Sequence, residues 1–177
     1  MQGTGNVGAP LARQLASEGA EVLLCDVDRP RAEALAAEIG AEVVDLEAAL
    51  ATPCDVLAPC AIGGVLDEGT IDRLECRVVA GSANNQLATP EDAARLHRAG
   101  ILYAPDYVIN GGGALTFGLL ALHRAEAGEE LARLVERRVG DRLRAIFSEA
   151  TERDESPAAT ANRQARRVLE QGLPAAS

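Results

Sequence analysis

The stretch Gln2-Gly3-Thr4-Gly5-Asn6-Val7-Gly8 decides the fold, because its glycines have the spacing G-x-G-x-x-G. In a turn from a strand to a helix, three such glycines make the tight turn, let the backbone approach a pyrophosphate and let the helix pack against the sheet. The phosphates would lie at the helix N-terminus, where unpaired N–H groups and the helix dipole favour negative charge. The glycines alone are equally compatible with an ordinary glycine-rich turn that binds no ligand.

The residues after the glycines have the pattern of a helix followed by a buried strand. Val7, Leu11 and Leu15 recur at helical spacing, and Gly19 is placed to end that helix. A short apolar run, Val22-Leu23-Leu24-Cys25, then predicts a strand.

Asp26 stands at the end of this predicted strand. In nucleotide-binding sheets of this kind, an acidic residue ~20 positions after the glycines typically hydrogen-bonds an adenine ribose, and the spacing from Gly8 to Asp26 is close to that. A carboxylate there repels a 2′-phosphate, so the pattern favours NAD over NADP, although Arg29 and Arg31 leave NADP possible. The alternative for Asp26 is a helix or turn cap.

The glycine motif should follow a strand, and only Met1 and Gln2 precede it here. The first strand of this fold lies at the centre of the sheet. We therefore expect an α/β, Rossmann-like, doubly wound parallel sheet that lacks its first, central strand and is followed by C-terminal helices.

Short apolar runs alternate with helical patterns along the next hundred residues, which is typical of parallel βαβ units. We expect strands at 42–44, 55–59, 77–81 and 101–103. We expect a helix from a cap at Asp28 to Gly40, a short helix or turn at 45–50, a helical turn at 70–74, a helix from a cap at Thr89 to Ala99, a loop at 106–113 and a helix from about Ala114.

The last third has helical periodicity throughout. An apolar stripe predicts one long amphipathic helix at 129–150, a polar break at 151–157 and a final helix at 158–171. The predicted domains are a nucleotide-binding domain at 1–128, truncated at its N-terminus, and helices at 129–177 that pack on it.

The composition excludes several classes of protein. A net charge of −10 argues against binding to nucleic acid or to a membrane surface, which require basic patches. No apolar run is long enough to span a bilayer, so the expected location is the cytoplasm. The four cysteines form no C-x-x-C pair, and we expect no metal site from them with His97 or His123.

Four further stretches, taken with the opening glycines, resemble the Glu/Leu/Phe/Val dehydrogenase family, in particular its leucine and phenylalanine dehydrogenase branch. They are Cys54-Asp55-Val56-Leu57-Ala58-Pro59-Cys60-Ala61-Ile62-Gly63, Ala80-Gly81-Ser82-Ala83-Asn84-Asn85-Gln86-Leu87, Tyr103-Ala104-Pro105-Asp106-Tyr107-Val108-Ile109-Asn110-Gly111-Gly112-Gly113, and Ala161-Asn162-Arg163. They occur in the family's order and cover nearly the whole chain. Gly111 and the pair Ala114-Leu115 depart from the residues usual in the family.

The resemblance implies oxidative deamination of an L-amino acid to its 2-oxo acid with reduction of NAD, and the reverse reaction. It also implies a separate N-terminal domain that binds substrate, and a homo-oligomer. The implied cofactor residues are Gly3, Gly5, Asn6, Val7, Gly8, Asp26, Cys60, Ala61 and Asn85, and the implied substrate-pocket residues are Asn85, Ala114 and Phe117.

Each implied role has a structural alternative. Cys60 and Ala61 suit a buried loop, Asn85 suits a turn, and Ala114 and Phe117 suit the core. Asn84 is interpreted as structural.

All 17 basic residues are arginines, so the chain has no lysine. The family's chemistry uses lysines of the N-terminal domain, and arginine cannot replace a lysine general base because its pKa stays above ~12. We therefore expect the chain to be the cofactor-binding part of a dehydrogenase that is inactive alone. The alternatives are a non-catalytic NAD-binding module that acts with a partner chain, and a decayed product.

Overall fold

The structure, a computed structural model, describes residues 1–122 and 127–171 and has short parallel strands alternating with helices. This confirms the predicted α/β fold class. The strands are β1 Leu23–Leu24, β2 Glu42–Val43, β3 Cys54–Leu57, β4 Cys76–Val79 and β5 Leu102–Tyr103. The helices are α1 Gly8–Ser17, α2 Arg29–Ile39, α3 Glu68–Ile71, α4 Asp92–Arg98, α5 Asp106–Ile109, α6 Gly112–Ala121, α7 Glu129–Arg153 and α8 Pro157–Gln171, with a 3₁₀ turn at Ala49–Ala51.

The strands form two small sheets, β1-β2 and β3-β4-β5, which Gln2 joins. Gln2 forms parallel bridges with Cys25 on one side and Pro59 on the other. Its N–H donates to the carbonyl of Ala58 at 2.9 Å, and its own carbonyl accepts from the N–H of Cys60 at 2.7 Å. The order is therefore β2-β1-Gln2-β3-β4-β5. Among the described residues, only the bridges of Gln2 occupy the central position between β1 and β3, and no full strand lies there.

Small aliphatic side chains fill the core, as the scarcity of aromatic residues predicts. One cluster lies between α1, α2 and the first sheet and contains Ala12, Val22, Leu24, Leu35 and Ala36. The other lies under the second sheet and contains Leu57, Leu66, Ile71, Val79, Ala93, Leu96, Ile101, Tyr103 and Ala158. Ala158 of α8 belongs to this cluster, so a C-terminal helix packs on the sheet-containing part.

Several predicted helix ends are confirmed, and one is wrong. Asp28 caps α2 by accepting from the N–H of Arg31 at 3.2 Å, and Gly40 ends that helix with a φ of 71°. The predicted cap at Thr89 is wrong, because α4 begins only at Asp92. There the carboxylate of Asp92 accepts from both the N–H and the hydroxyl of Thr89, so Thr89 is held by the helix instead of capping it.

Three other predicted boundaries also differ. The loop predicted at 106–113 contains α5 and the start of α6, because Pro105 and the acidic first turn of α5 favour a helix start that the glycines conceal. The turn predicted at 70–74 is α3 at 68–71, which Asp67 caps. The polar break predicted at 151–157 is shorter, because α7 continues to Arg153.

A polar cluster joins the two long C-terminal helices. Glu149 of α7 accepts hydrogen bonds from Gln164 at 2.6 Å and from Arg163 at 2.9 Å, and Arg163 also pairs with Glu155. These bonds from Gln164 and Arg163 lower the pKa of Glu149 to about 2. Within residues 1–122 and 127–171, no helix combines the length and the apolar character needed to cross a membrane.

Candidate functional site

The three glycines of the opening loop have three different surroundings. Gly3 has a φ of 101°, and a Cβ there would lie 2.8 Å from the Cβ of Ala61. A Cβ on Gly8 would overlap the carbonyl oxygen of Gly3. A Cβ on Gly5 would meet no atom within 4 Å. Gly3 and Gly8 are thus required by the fold, whereas Gly5 leaves open space beside the backbone.

The open loop leads into the N-terminus of α1. Asn6 and Val7 are exposed, and the helix begins at Gly8 without an acidic residue in its first turn. The N–H groups of a ten-residue helix at such an end attract anions. The loop therefore has the shape, the space and the donors that fit a pyrophosphate.

Asp26 anchors this loop to the rest of the fold. One carboxylate oxygen accepts from the N–H of Thr4 at 2.6 Å and from its hydroxyl at 2.9 Å. The other accepts from the N–H of Asp28 at 2.9 Å and from Arg31 at 2.7 Å. A carboxylate offers about four acceptor positions, so those of Asp26 are filled from within the chain.

The electrostatics of Asp26 follow from these bonds. Its side chain is only 4% exposed. Burial raises the pKa of Asp26, but the hydrogen bonds from Asp28, Thr4 and Arg31 outweigh burial, so the pKa is lowered and the group is ionised. A ribose hydroxyl could bind this carboxylate only by replacing one of the present donors. The capping alternative for Asp26 is confirmed for a turn, since its carboxylate accepts from the N–H of Asp28 two residues on, and is wrong for a helix, since Asp28 caps α2.

The loop after β3 packs directly against the glycine turn. Ala61 is exposed and lies against Gly3, and the half-buried sulfur of Cys60 accepts from the N–H of Ser82 at 3.5 Å. A Cβ on Gly63 would lie 2.6 Å from the carbonyl oxygen of Asn84. Three loops therefore meet at the carboxyl edge of the sheet: the glycine loop after Gln2, the loop after β3 and the loop after β4. Open α/β sheets bind ligands at this edge.

Asn85 is exposed and is held by its backbone. Its φ is 52°, in the left-handed region, and its N–H donates to Asp106 at 2.7 Å. The buried carboxylate of Asp106 also accepts from the hydroxyl of Tyr103 at 2.8 Å. Burial, reinforced by this hydrogen bond, raises the pKa of Tyr103. The backbone is fixed in this way while the amide side chain faces outward.

Sequence reasoning did not identify Asp106 and Tyr103 as supports of Asn85. The only signal was the position of Asp106, directly after a predicted strand. Asn110 is a second support: its amide donates to the carbonyls of Ser82 and Ala83, both at 3.1 Å, and to the side chain of Asn84 at 3.3 Å. This contact agrees with the structural interpretation of Asn84.

Ala114 and Phe117 lie on α6, the helix that follows Asn110. Both side chains are exposed, Phe117 by 75%, so the core alternative for these residues is wrong. An aromatic ring so exposed is available to line a binding surface. The described contacts do not join Ala114 or Phe117 to Asn85.

The described residues bring no group of three His, Cys, Asp or Glu side chains together in the manner of a metal site. His123 lies outside the described residues. The four cysteines are free, and burial raises the pKa of Cys25, Cys54 and Cys76.

Curated relatives of the chain are amino-acid dehydrogenases. The leucine dehydrogenase of Thermoactinomyces intermedius is 43% identical over 129 residues, which cover 72% of this chain and 35% of that protein. The L-tryptophan dehydrogenase of Nostoc punctiforme is 39% identical over 173 residues, which cover 96% of this chain and 46% of that protein. The chain therefore spans less than half the length of these relatives.

Solved structures resemble the chain in the same region. The crystal structure of L-tryptophan dehydrogenase from Nostoc punctiforme superposes with a TM-score of 0.87 at 36% identity, covering 94% of this chain and 49% of that one. The hetero-hexameric glutamate dehydrogenase of Thermus thermophilus gives a TM-score of 0.68 at 23% identity, covering 98% of this chain and 47% of that one, which shows a shared fold.

The family model for glutamate/leucine/phenylalanine/valine dehydrogenases matches residues 24–171. This match agrees with the resemblance that the sequence motifs indicate. The chain belongs to the glutamate/leucine/phenylalanine/valine dehydrogenase family.

Proposed function

We propose that this chain is the cofactor-binding part of an NAD-dependent L-amino-acid dehydrogenase. Its substrate would be an L-amino acid such as leucine, valine or phenylalanine, and its product the 2-oxo acid, with the reverse reaction also catalysed. The observation that carries the proposal is the open space at Gly5, in a turn whose other two glycines are tightly packed. The named activities of the relatives support the substrate class.

The glycine loop would hold the pyrophosphate through backbone N–H groups, and no side chain is required for this role. The residues concerned are Gly3, Gly5, Asn6, Val7 and Gly8. Asp26 would accept a ribose hydroxyl in place of one of its present donors. When bound, NAD would take up a hydride from the α-carbon of the substrate.

The loops that flank the glycine turn would orient the reacting groups. Cys60 and Ala61 would line the cofactor site beside Gly3. The amide of Asn85 can donate to a carboxylate or a carboxamide and accept from an amine, which suits a position between nicotinamide and substrate. Ala114 and Phe117 would contribute to the pocket for the substrate side chain, where a small and a large residue stand near each other on one helix.

The chain alone would not turn over substrate, because it lacks a lysine. The family's chemistry implies lysines of the N-terminal domain in the proton transfers, and arginine cannot replace them because a guanidinium stays protonated near neutral pH. The lysines would come from a substrate-binding domain, with residues 1–128 as the NAD-binding domain and 129–177 as helices packed on it. The complete enzyme would be a homo-oligomer.

Titration of the 177-residue chain with NADH, followed by nicotinamide fluorescence, tests the proposal. We expect saturable binding, competition by NAD, and no turnover of leucine, valine, phenylalanine or tryptophan. A chain that melts cooperatively but does not bind NADH would refute the cofactor role. Turnover by the isolated chain would refute the proposed need for lysines.

The lack of lysine also suits a non-catalytic NAD-binding module that acts with a partner chain. The intact mass of the native protein, isolated from its source cells, distinguishes the two. A mass near twice 18.4 kDa would support the dehydrogenase, and a mass of 18.4 kDa would support the module.

A further inference from the structure

Asn85 has a backbone conformation that most residues avoid. Its φ of 52° lies in the left-handed region, which asparagine tolerates better than most other residues with a side chain. A conformation of this kind persists where the surrounding structure fixes the backbone on both sides. The residues that fix Asn85 therefore also set the direction in which its amide points.

Asp106 fixes the amino side of Asn85. One oxygen of this buried carboxylate accepts from the N–H of Asn85 at 2.7 Å, and the other accepts from the hydroxyl of Tyr103 at 2.8 Å. Hydrogen bonds to an ionised acceptor are shorter and stronger than those between neutral groups. An asparagine at position 106 would have an acceptor oxygen on one side only, so it could not serve donors on both sides.

The loop after β3 fixes the carboxyl side of Asn85. The N–H of Gly64 donates to the carbonyl of Asn85 at 2.7 Å, and a Cβ on Gly63 would lie 2.7 Å from the same carbonyl oxygen. Two residues further on, Leu66 forms a parallel bridge with Leu87. The loops after β3 and β4 therefore run in contact, and they are so close that position 63 has room only for glycine.

The loop after β3 also contacts the glycine turn. Ala61 lies against Gly3, and Gly63 follows only two residues later. Residues 61–64 thus connect the turn that would hold the pyrophosphate with the asparagine that would face the nicotinamide. A short segment fixed at both ends keeps the distance between these two points constant, which favours a ligand that must contact both at once.

We propose that Asp106 and Gly63 are positioning residues that direct the amide of Asn85 towards the nicotinamide end of the cofactor site. Both act through the backbone of Asn85 and not by contact with the ligand. The inference rests on the cofactor role proposed above. It predicts that a change at either residue weakens recognition of the nicotinamide and leaves recognition of the adenosine and the pyrophosphate unchanged.

Titrations of the 177-residue chain with NADH and with ADP-ribose test the proposal, because ADP-ribose lacks the nicotinamide and keeps the rest of the cofactor. We expect NADH to bind the unaltered chain more tightly than ADP-ribose. In Asp106→Asn, NADH should bind about five- to tenfold more weakly, while the Kd of ADP-ribose should change by less than about twofold. Gly63→Ala should have the same selective effect, because its methyl group would displace the carbonyl of Asn85.

Asp92→Asn is the matched control for Asp106→Asn. Asp92 is also a buried carboxylate that accepts from one backbone N–H and one hydroxyl, but both of these donors belong to Thr89. Both variants should lower Tm, because each leaves a buried donor without its acceptor. Only Asp106→Asn should change the ratio of the Kd values for ADP-ribose and NADH, since a general loss of stability affects both ligands alike.

A second pair of variants tests whether the effect passes through Asn85. Asn85→Gly keeps the left-handed backbone and removes the amide, so NADH should bind at least as weakly as it does in Asp106→Asn. In the Asn85→Gly background, Asp106→Asn should change the Kd of NADH by less than about twofold, because the group that it positions is gone. Hydrogen exchange of the Asn85 N–H, measured by NMR without any ligand, should be about tenfold faster in Asp106→Asn.

Three results would overturn the proposal. One is an equal loss of affinity for NADH and ADP-ribose in Asp106→Asn, and another is a full effect of Asp106→Asn in the Asn85→Gly background. The third is an unchanged exchange rate of the Asn85 N–H. A folded chain that binds neither NADH nor ADP-ribose would refute the cofactor role and this inference with it, whereas normal binding of both with an unchanged ratio in Asp106→Asn would refute the positioning role alone.

Discussion

Replacing Gly5 by alanine should abolish tight NADH binding and leave the fold intact. A Cβ at this position meets no protein atom within 4 Å, so the free energy of unfolding should change by less than about 0.5 kcal/mol. The same methyl group would occupy the space in which we place the pyrophosphate. We expect a loss of at least tenfold in affinity, or about 1.4 kcal/mol.

Gly8→Ala is the matched comparison, because its methyl group would overlap the carbonyl oxygen of Gly3. A backbone atom cannot move aside cheaply, and overpacking of this kind costs about 1–3 kcal/mol. In a domain of this size each 1 kcal/mol lowers Tm by roughly 2–4 °C. Gly8→Ala should therefore lower Tm even without cofactor, whereas Gly5→Ala should not.

Thermal unfolding followed by circular dichroism, together with NADH fluorescence titration, measures both effects on the same samples. Wild-type affinity in Gly5→Ala would refute the placement of the pyrophosphate. A wild-type Tm in Gly8→Ala would refute the packing role of the third glycine.

Three further predictions concern side chains. Arg31→Ala removes the cation nearest Asp26, so the preference for NADH over NADPH, measured as a ratio of Kd values, should rise about tenfold. Tyr103→Phe removes a donor from the buried carboxylate of Asp106 and should cost about 1–3 kcal/mol in urea unfolding. The pKa of Glu149 is lowered from 4.5 to about 2, so ionised Glu149 stabilises the folded chain fully above pH 4.5, and this stabilisation is lost as the pH falls towards 2. In Glu149→Gln, Tm should therefore depend less on pH over that range.

Each of these predictions has a control within the chain. Arg13, which pairs with Glu38, lines a pocket beside Gly5 that Arg31 also lines, and Arg13→Ala should leave the ratio of the NADH and NADPH Kd values unchanged. Tyr107 is half-exposed, so Tyr107→Phe should cost less than Tyr103→Phe. Glu152→Gln, on the same helix as Glu149, should keep the acid-induced fall in Tm. Equal effects of a variant and its control would contradict the corresponding prediction.

Local patterns predicted the features of the fold that local forces determine. The glycine spacing indicated the turn, and Asp28 and Gly40 indicated both ends of α2, because capping and left-handed φ depend on residues within one helical turn. The apolar stripe indicated α7, although the helix runs three residues further than expected. Helix ends fray over such distances.

Features set by distant contacts could not be read from the sequence. Asp106 supports Asn85 across 21 residues of chain, and only the packing of β4 beside β5 brings them together. The exposure of Phe117 could not be predicted from the sequence either, since α6 is apolar on all sides and the pattern of its residues does not distinguish a buried face from an exposed one. The helix α5 was missed, and α6 was predicted to begin at about Ala114 and not at Gly112, because three successive glycines usually indicate a loop.

The four hydrogen bonds to Asp26 have a thermodynamic consequence for ligand binding. They order Thr4, and with it the glycine loop, while the chain folds. The conformational entropy of the loop is then already lost before any ligand arrives, so little further loss opposes binding. Ligand association should proceed without a slow rearrangement of the loop. Thr4→Val, which removes the hydroxyl bond to Asp26, would transfer part of this entropy cost from folding to binding, and would weaken affinity without changing a residue that we place against the ligand.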